Sequence, residues 1–158
     1  MNKITPFLWF DNNLGEALKF YSSIFPDAKV GKMNNLSDVG AQEFTNVTTA
    51  SFTLMGQDFM AMNAGPTFKF NEAVSFYVDC ADQKEVDYYW SRLTADGGQE
   101  SQCGWLKDKF GLSWQIVPRV LSELLNDPDK GRRDRALQAM LKMKKLDVAG
   151  LERAADGE

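Results

Sequence analysis

The first half of the chain alternates between apolar segments and polar breaks in an order that predicts one strand, one helix and three strands. Residues 4–10 are apolar and aromatic almost throughout, which is typical of a buried strand. Apolar residues then recur at intervals of three and four over residues 14–25, which predicts a helix that Asn12 or Asn13 could cap. A polar loop is predicted at 37–42. Strands are predicted at residues 29–35, 46–55 and 59–63, the last two joined as a hairpin.

The same order recurs after residues 64–71, where Gly and Pro indicate a linker. A strand is predicted at 73–80, followed by a helix that begins after Asp82 and ends at Gly97 and Gly98. Short strands are predicted at 100–102, 105–108 and 113–117. Identical residues 69 positions apart are Phe7 and Phe76, Glu16 and Glu85, and Ser22 and Ser91. An internal duplication is the economical explanation, with chance identity as the alternative.

After Pro118 the apolar spacing becomes helical. Helices are predicted at 120–126 and 131–145, with a last turn near 146–151. The second of these helices is basic and amphipathic. Such a helix can bind a calmodulin-like partner or a membrane surface, or its charges can form a solvated face.

Alternation within the strands assigns side chains to the two faces of each predicted sheet. If Phe7 and Phe76 pack under the helices, their neighbours in sequence point to the opposite face. On the last strand, Trp114 then lies on the helix side and Gln115 on the opposite side. Trp105 could stack on a planar ligand or belong to the core. The expected ligand pocket is lined by Leu8, Met60, Met62, Ser75, Tyr77, Trp105 and Gln115.

The composition limits the kinds of partner that the protein is expected to bind. The chain has 158 residues, 44% of them hydrophobic, and a formal net charge of -4 with a pI near 4.9. It shows no basic stripe of the kind that binds phosphates, so nucleic acid is not an expected partner. It has neither a secretory leader nor an apolar run of membrane length, so no membrane association and a cytoplasmic location are expected. Cys80 and Cys103 are expected to be free thiols.

The chain contains no histidine. This excludes Ser-His-Asp and Cys-His catalysis and every metal site built on histidine. The remaining candidates for catalysis are Cys103, Gln115 and Ser75, and Cys103 could equally be a small buried apolar residue. Glu43 or Glu72 could act as a base if either were buried beside the pocket.

Three segments carry a resemblance to a known family: ITPFLWFDNN, FYSSIFP and CGWLKDKFGLSWQIVP. With the two strand-helix-three-strand modules, they resemble the vicinal oxygen chelate superfamily of glyoxalases, extradiol dioxygenases and bleomycin and fosfomycin resistance proteins. Within it they look most like the PhnB-like group, labelled 3-demethylubiquinone-9 3-methyltransferase. The resemblance covers about residues 3–145. It implies an α+β fold of two βαβββ modules, with curved mixed sheets forming a cup, helices outside, and assembly as a homodimer.

The modules are expected at residues 1–64 and 72–118, with a helical extension at 119–158. In metal-dependent branches of the superfamily, His or Glu from the first and last strands of each module binds a divalent ion. The corresponding positions here hold poor ligands, so we expect neither a metal nor another cofactor. These positions fall near Pro6, near Met60 or Met62, near Ala73 or Ser75, and at Gln115.

The usual fold of methyl-donor enzymes needs a glycine-rich strand-to-helix turn, and the sequence contains none. We therefore expect a metal-free protein that binds a small apolar or aromatic molecule. One alternative is an enzyme of the same superfamily that acts without a His-ligated metal. A second is a protein-interaction role of the C-terminal helices.

Overall fold

The computed structural model describes residues 2–39 and 47–158. The predicted loop at 37–42 extends beyond these residues, and Glu43 lies outside them. The chain divides into two compact units, one ending at Phe70 and the other comprising Asn71–Glu158. Each unit contains one sheet, and the fold is the expected α+β class. In the described part of the chain, no helix has the length and apolar character needed to cross a bilayer.

The first unit has the predicted order of strand, helix and further strands. Its sheet runs in the order β1-β5-β4-β2, and a short β3 also pairs with β4. β1 is parallel to β5, and the other pairs are antiparallel. A 3₁₀ turn occupies Leu36–Val39. The elements are β1 Phe7–Phe10, α1 Leu14–Ile24, β2 Lys29–Val30, β3 Asn34–Asn35, β4 Thr48–Leu54 and β5 Gln57–Asn63.

Helix α1 buries the residues that the three-and-four spacing selected. Its first backbone N–H, from Leu14, donates at 2.8 Å to Oδ1 of Asn63. Asn13 occupies the N-cap position but makes no side-chain capping bond. The cap is thus supplied by a residue of β5, distant in sequence, because β5 ends beside the start of the helix. The buried residues are Leu14, Ala17, Leu18, Tyr21 and Ile24.

The predicted orientation of β1 is wrong. Leu8 is 7% exposed and pairs in register with Ala61, which is fully buried. That row belongs to the face under α1, where Phe52 stacks on Tyr21 with ring centroids 6.4 Å apart. Leu8 therefore lies in the helix-side core and does not line the opposite face, whereas Phe7 is half exposed.

The second unit repeats the module and adds three helices. Its sheet runs in the order β6-β9-β8-β7, with β6 parallel to β9 and the other pairs antiparallel. A 3₁₀ turn at Ala95–Gly97 follows the first helix. The elements are β6 Ser75–Cys80, α2 Gln83–Leu93, β7 Gln99–Glu100, β8 Trp105–Lys107, β9 Ser113–Pro118, α3 Arg119–Leu125, α4 Lys130–Met140 and α5 Val148–Asp156.

The predicted repeat of the module is confirmed. Helices α1 and α2 both have 11 residues, and they begin 69 positions apart. The strand orders of the two sheets also correspond. The first strands, however, do not share this offset, because Leu8 faces the helix in β1 and pairs with Ala61, whereas in β6 it is Phe76 that pairs with the helix-side residue Trp114. A shift of one residue exchanges the two faces of a strand, so the Phe7–Phe76 identity misassigned β1.

The C-terminal extension is attached to the second module by hydrogen bonds. Backbone N–H groups of Cys103 and Gly104 donate to the carbonyls of Met143 and Lys144, each at 2.8 Å. The amide of Gln83 donates to Leu146 O at 3.1 Å, and its oxygen accepts from Val148 N at 2.7 Å. The three helices share a core of Val117, Leu121, Leu124, Ala136, Leu146, Leu151 and Ala155.

The arginines of α4 hold the extension together. Arg132 forms an ion pair with Asp127 at 2.9 Å and another with Asp156. Arg135 donates to the carbonyl of Ala155 at 2.9 Å. Arg132 and Arg135 of the predicted basic helix thus bind groups inside the extension, at the ends of α3 and α5, and not a partner.

Candidate functional site

Two rows of side chains cross the open face of the second sheet, meaning the face turned away from α2. Directly paired residues of neighbouring strands project to the same face. The register therefore places both rows together. The first row is Ser75, Ser113, Lys107 and Gln99, and the second is Tyr77, Gln115 and Trp105.

The opposite face of this sheet packs against α2. Trp114, Leu106 and Ile116 are at most 3% exposed there. Trp90 of α2 donates its indole N–H at 2.7 Å to Glu100, which belongs to the same helix-side row as Leu106. The predicted orientation of the last strand, with Trp114 on the helix side and Gln115 on the open side, is confirmed.

Neutral polar and aromatic groups meet in the open-face rows. The Gln115 amide donates to the Ser75 hydroxyl at 2.9 Å. Tyr77 is 52% exposed, while Gln115 and Trp105 are half-buried. The arrangement therefore offers two aromatic surfaces on either side of an amide. It can contact a flat or apolar molecule and direct one hydrogen bond to it.

Lys107, in the first row, forms an ion pair with Glu72. Lys107 Nζ lies 2.5 Å from Glu72 Oε1. The hydrogen bond from Lys107 is the main cause that lowers the pKa of the Glu72 carboxyl. A carboxylate with a lowered pKa is a weaker proton acceptor, so the structure argues against Glu72 as a general base.

A cleft of about 140 Å³ opens beside this ion pair. Ser113 in its wall is 1% exposed, and its Oγ has no hydrogen-bond partner among the described residues. The sequence signal for this position was only its place on the open side of β9. The cleft is lined by Glu72, Gln99, Glu100, Ser101, Trp105, Leu106, Lys107 and Ser113.

Asp108, at the end of β8, is 2% exposed and organises the turn to β9. Its Oδ1 accepts from the backbone N–H groups of Phe110 at 2.9 Å and Leu112 at 3.1 Å. Its Oδ2 accepts from the indole of Trp114 at 2.9 Å. Asp108 thus fixes the turn between the two strands that carry Lys107 and Ser113.

Most predicted pocket residues lie on the face away from the helix of their own unit. In the first unit, Met60 and Met62 pair in register with Phe7 and Trp9, on the face opposite α1. In the second unit, the open-face rows include Ser75, Tyr77, Trp105 and Gln115. Leu8 is the exception described above.

The two cysteines differ in their surroundings. Cys103 is half-buried, adopts a left-handed backbone (φ 59°) in the turn before β8 and contacts the extension through its N–H. Cys80 is fully buried, and burial raises the pKa of its thiol to about 12. A thiol that remains protonated at neutral pH is a poor nucleophile.

The positions that correspond to the superfamily's metal ligands do not fit a divalent ion. Gln115 and Ser75 supply only neutral oxygens, and the amide nitrogen of Gln115 donates to the Ser75 hydroxyl. Met60 or Met62 would supply a thioether, which is a soft ligand that does not suit hard divalent ions. In the described part of the chain, no group of three or more His, Cys, Asp or Glu side chains is placed to hold a metal.

The chain contains two βαβββ modules, and in each module the helix covers one face of a mixed sheet. This fold makes the chain a member of the vicinal oxygen chelate superfamily. Within it, the family of 3-demethylubiquinone-9 3-methyltransferase matches residues 2–117. The chain belongs to this family. The match ends within β9, so the extension lies beyond it.

Solved structures agree with this assignment. A putative 3-demethylubiquinone-9 3-methyltransferase, the PhnB protein from Bacillus cereus, is 33% identical, with a TM-score of 0.64, over 74% of this chain and 99% of its own. Protein PA1353 from Pseudomonas aeruginosa is 19% identical, with a TM-score of 0.61, over 75% and 98%. The fosfomycin resistance protein FosX from Listeria monocytogenes is 18% identical, with a TM-score of 0.56, over 80% and 98%. The last two show the fold alone. No curated protein matches the chain.

Proposed function

We propose that the protein binds a small, largely apolar or aromatic molecule on the open face of its second sheet, without a His-ligated metal. The observation that carries the proposal is the row formed by Tyr77, Gln115 and Trp105. Two aromatic side chains lie on either side of a single amide, an arrangement typical of small-molecule sites, in which apolar walls provide contact and a few polar groups fix orientation.

The exposure of Tyr77 supports this proposal. Its side chain is 52% exposed on a sheet whose other face is packed. An aromatic residue in that position gains contact area when a flat ligand covers it, and aromatic pairs contribute about 0.5–1.5 kcal/mol beyond area burial. The Gln115 amide, already oriented by Ser75, supplies a directional contact without a net charge.

Metal-free binding follows from the donor set, since Gln115 stands where the superfamily's terminal carboxylate is expected. Titration calorimetry with Zn²⁺, Ni²⁺ and Mn²⁺ should show no tight, stoichiometric uptake by the purified protein. Tight binding of any one of these ions at one equivalent would contradict this part of the proposal.

Catalysis is less supported than binding. Glu72, the only predicted base that lies among the described residues, is held as a carboxylate by Lys107, which lowers its pKa. The family's name refers to methyl transfer, but this chain has no glycine-rich strand-to-helix turn of the usual methyl-donor type. We therefore propose binding, and a turnover assay on the identified ligand tests for catalysis.

The predicted homodimer is also a proposal, which sedimentation equilibrium can test.

The test begins with protein purified from its native host and extracted for mass spectrometry. The molecule recovered is then titrated into the emptied protein. We expect Tyr77→Ala to weaken its binding about tenfold, close to the loss of one aromatic contact. We also expect Gln115→Ala to weaken binding. Tyr88→Ala is the matched control, because Tyr88 is an exposed tyrosine on α2, on the other side of the sheet. Equal affinity of all three variants would contradict the proposal.

A further inference from the structure

The cleft beside Lys107 contains a polar group that the fold leaves without a bond. Ser113 is 1% exposed, and its Oγ has no partner among the described residues. Buried hydroxyls in folded proteins are almost always hydrogen-bonded, because an unpaired one loses its water without compensation. The Ser113 hydroxyl can therefore gain a bond from a group that enters the cleft.

The charged side chains around the cleft determine which net charge the bound group can carry. Lys107 is already neutralised by Glu72 at 2.5 Å. Glu100 also borders the cleft, but its carboxylate accepts a hydrogen bond from Trp90 on the helix side of the sheet. An anion would have to compete with Glu72 for Lys107. A cation would have to compete with Lys107 for Glu72. A neutral group meets neither penalty.

Size limits the group further. The cleft has a volume of about 140 Å³, and a cavity of roughly 150 Å³ holds a benzene molecule. Trp105 contributes apolar lining, while Ser113 and Gln99 contribute hydroxyl and amide groups. The dimensions suit one six-membered ring.

We propose that this cleft binds a neutral, ring-sized group carrying a hydroxyl or carbonyl oxygen, which hydrogen-bonds to Ser113 Oγ while the ring packs against Trp105. This inference rests on the proposed function and narrows it, since Trp105 belongs to both the open-face row and the cleft. It also assigns a binding role to Ser113, which sequence reasoning did not select.

Phenol is the probe for the full chain, titrated with detection by ¹H–¹⁵N NMR. We expect saturable shifts of the Trp105, Lys107 and Ser113 amides. Benzene lacks the oxygen and benzoate carries a charge, so both should bind about tenfold more weakly. Uniformly weak, unsaturable shifts with phenol would overturn the proposal.

Ser113→Ala gives two effects of opposite sign. Removing an unpaired buried hydroxyl should raise the melting temperature of the free protein, and it should reduce phenol affinity to that for benzene. Ser22→Ala, on an exposed position of α1, is the matched control and should change neither. Unchanged phenol affinity in Ser113→Ala overturns the proposal, and so does a lowered melting temperature, since the hydroxyl then stabilises the fold through a bond of its own.

Glu72→Gln tests the charge argument without altering Ser113. It leaves Lys107 without its carboxylate, so benzoate should bind more tightly and phenol about as before. Benzoate affinity that does not change would contradict the neutral-ligand assignment. If the host-derived molecule binds and responds to Tyr77→Ala while phenol ignores Ser113→Ala, the cleft proposal fails and the proposed function stands. If no host-derived molecule binds while phenol behaves as described, the proposed function fails and the cleft proposal stands.

Discussion

The indole N–H of Trp114 donates a hydrogen bond of 2.9 Å to Oδ2 of Asp108, and both side chains are buried. The other carboxyl oxygen accepts two backbone N–H groups of the same turn. A single carboxylate thus holds the connection between β8 and β9 and the orientation of a core tryptophan. The segment CGWLKDKFGLSWQIVP, one of the three that carry the family resemblance, is organised around this carboxylate.

Asp108→Ala should lower the free energy of unfolding by about 3 kcal/mol, because it leaves three donors without their charged acceptor. Urea denaturation monitored by circular dichroism measures the change. Glu152→Ala, at an exposed position of α5, is the control and should stay within about 0.5 kcal/mol. A loss for Asp108→Ala no larger than that of the control would contradict the assigned role.

Gly104→Ala should destabilise the protein more than Gly56→Ala. Both glycines have positive φ, 82° and 76°, so alanine pays the left-handed cost of about 1 kcal/mol at each. Only at Gly104 would the new Cβ lie 2.9 Å from the carbonyl oxygen of Ile116 and 3.0 Å from Leu146. That crowding adds about 1–3 kcal/mol. Thermal unfolding of both variants measures this added loss, and equal losses would mean that the Ile116 carbonyl and the Leu146 side chain shift at no cost in stability.

Gln83→Ala should loosen the C-terminal extension while the modules stay folded. The variant loses the side-chain bonds to Leu146, before α5, and to Val148, the first residue of α5. Hydrogen exchange of the Val148 amide should accelerate, since that N–H then lacks an acceptor. Lys84→Ala, one residue further along α2 and exposed, is the matched control. Exchange that is equally fast in both variants would show that Gln83 does not hold the extension.

Cys80 should resist alkylation in the native protein and react after unfolding. Its pKa is raised from 9.0 to about 12, mainly by burial. A raised pKa stabilises the folded state below pH 9. This stabilisation is lost as the pH rises toward 12, because the unfolded thiol ionises first.

The unfolding free energy of the wild type should therefore fall more steeply above pH 9 than that of Cys80→Ala, which serves as the control for the other groups that titrate there. Denaturant titrations between pH 8 and about 10.5 measure the difference. Parallel slopes would contradict a thiol that is neutral in the folded state.

Local patterns were enough to predict the order of elements. The spacing of Ala17, Tyr21 and Ile24 recurs at Val86, Trp90 and Leu93, and these six residues are buried on the two module helices. Helical periodicity is a property of neighbouring residues, so it can be read without the fold. The same is true of the 69-residue offset between the helices.

The faces of the strands were predictable only where the sequence was asymmetric. β9 alternates Trp114 and Ile116 with Ser113 and Gln115, and its orientation was correct. β1 reads Phe-Leu-Trp-Phe, with no polar residue to indicate the open side, and its orientation was wrong for Leu8. In an apolar strand, the pairing with the neighbouring strand, here β5, determines which side chains face the helix.

The sequence by itself determined the two modules, the family, the buried stripes of both helices and the neutral amide at Gln115. The tertiary structure decided which residue caps α1, that Asp108 is buried, and that Ser113 faces a cleft beside the Lys107–Glu72 pair. Each of these depends on contacts between residues distant in sequence, or on which side of a turn a side chain lies. Such contacts follow from how strands pair and pack, and no local pattern of residues specifies them.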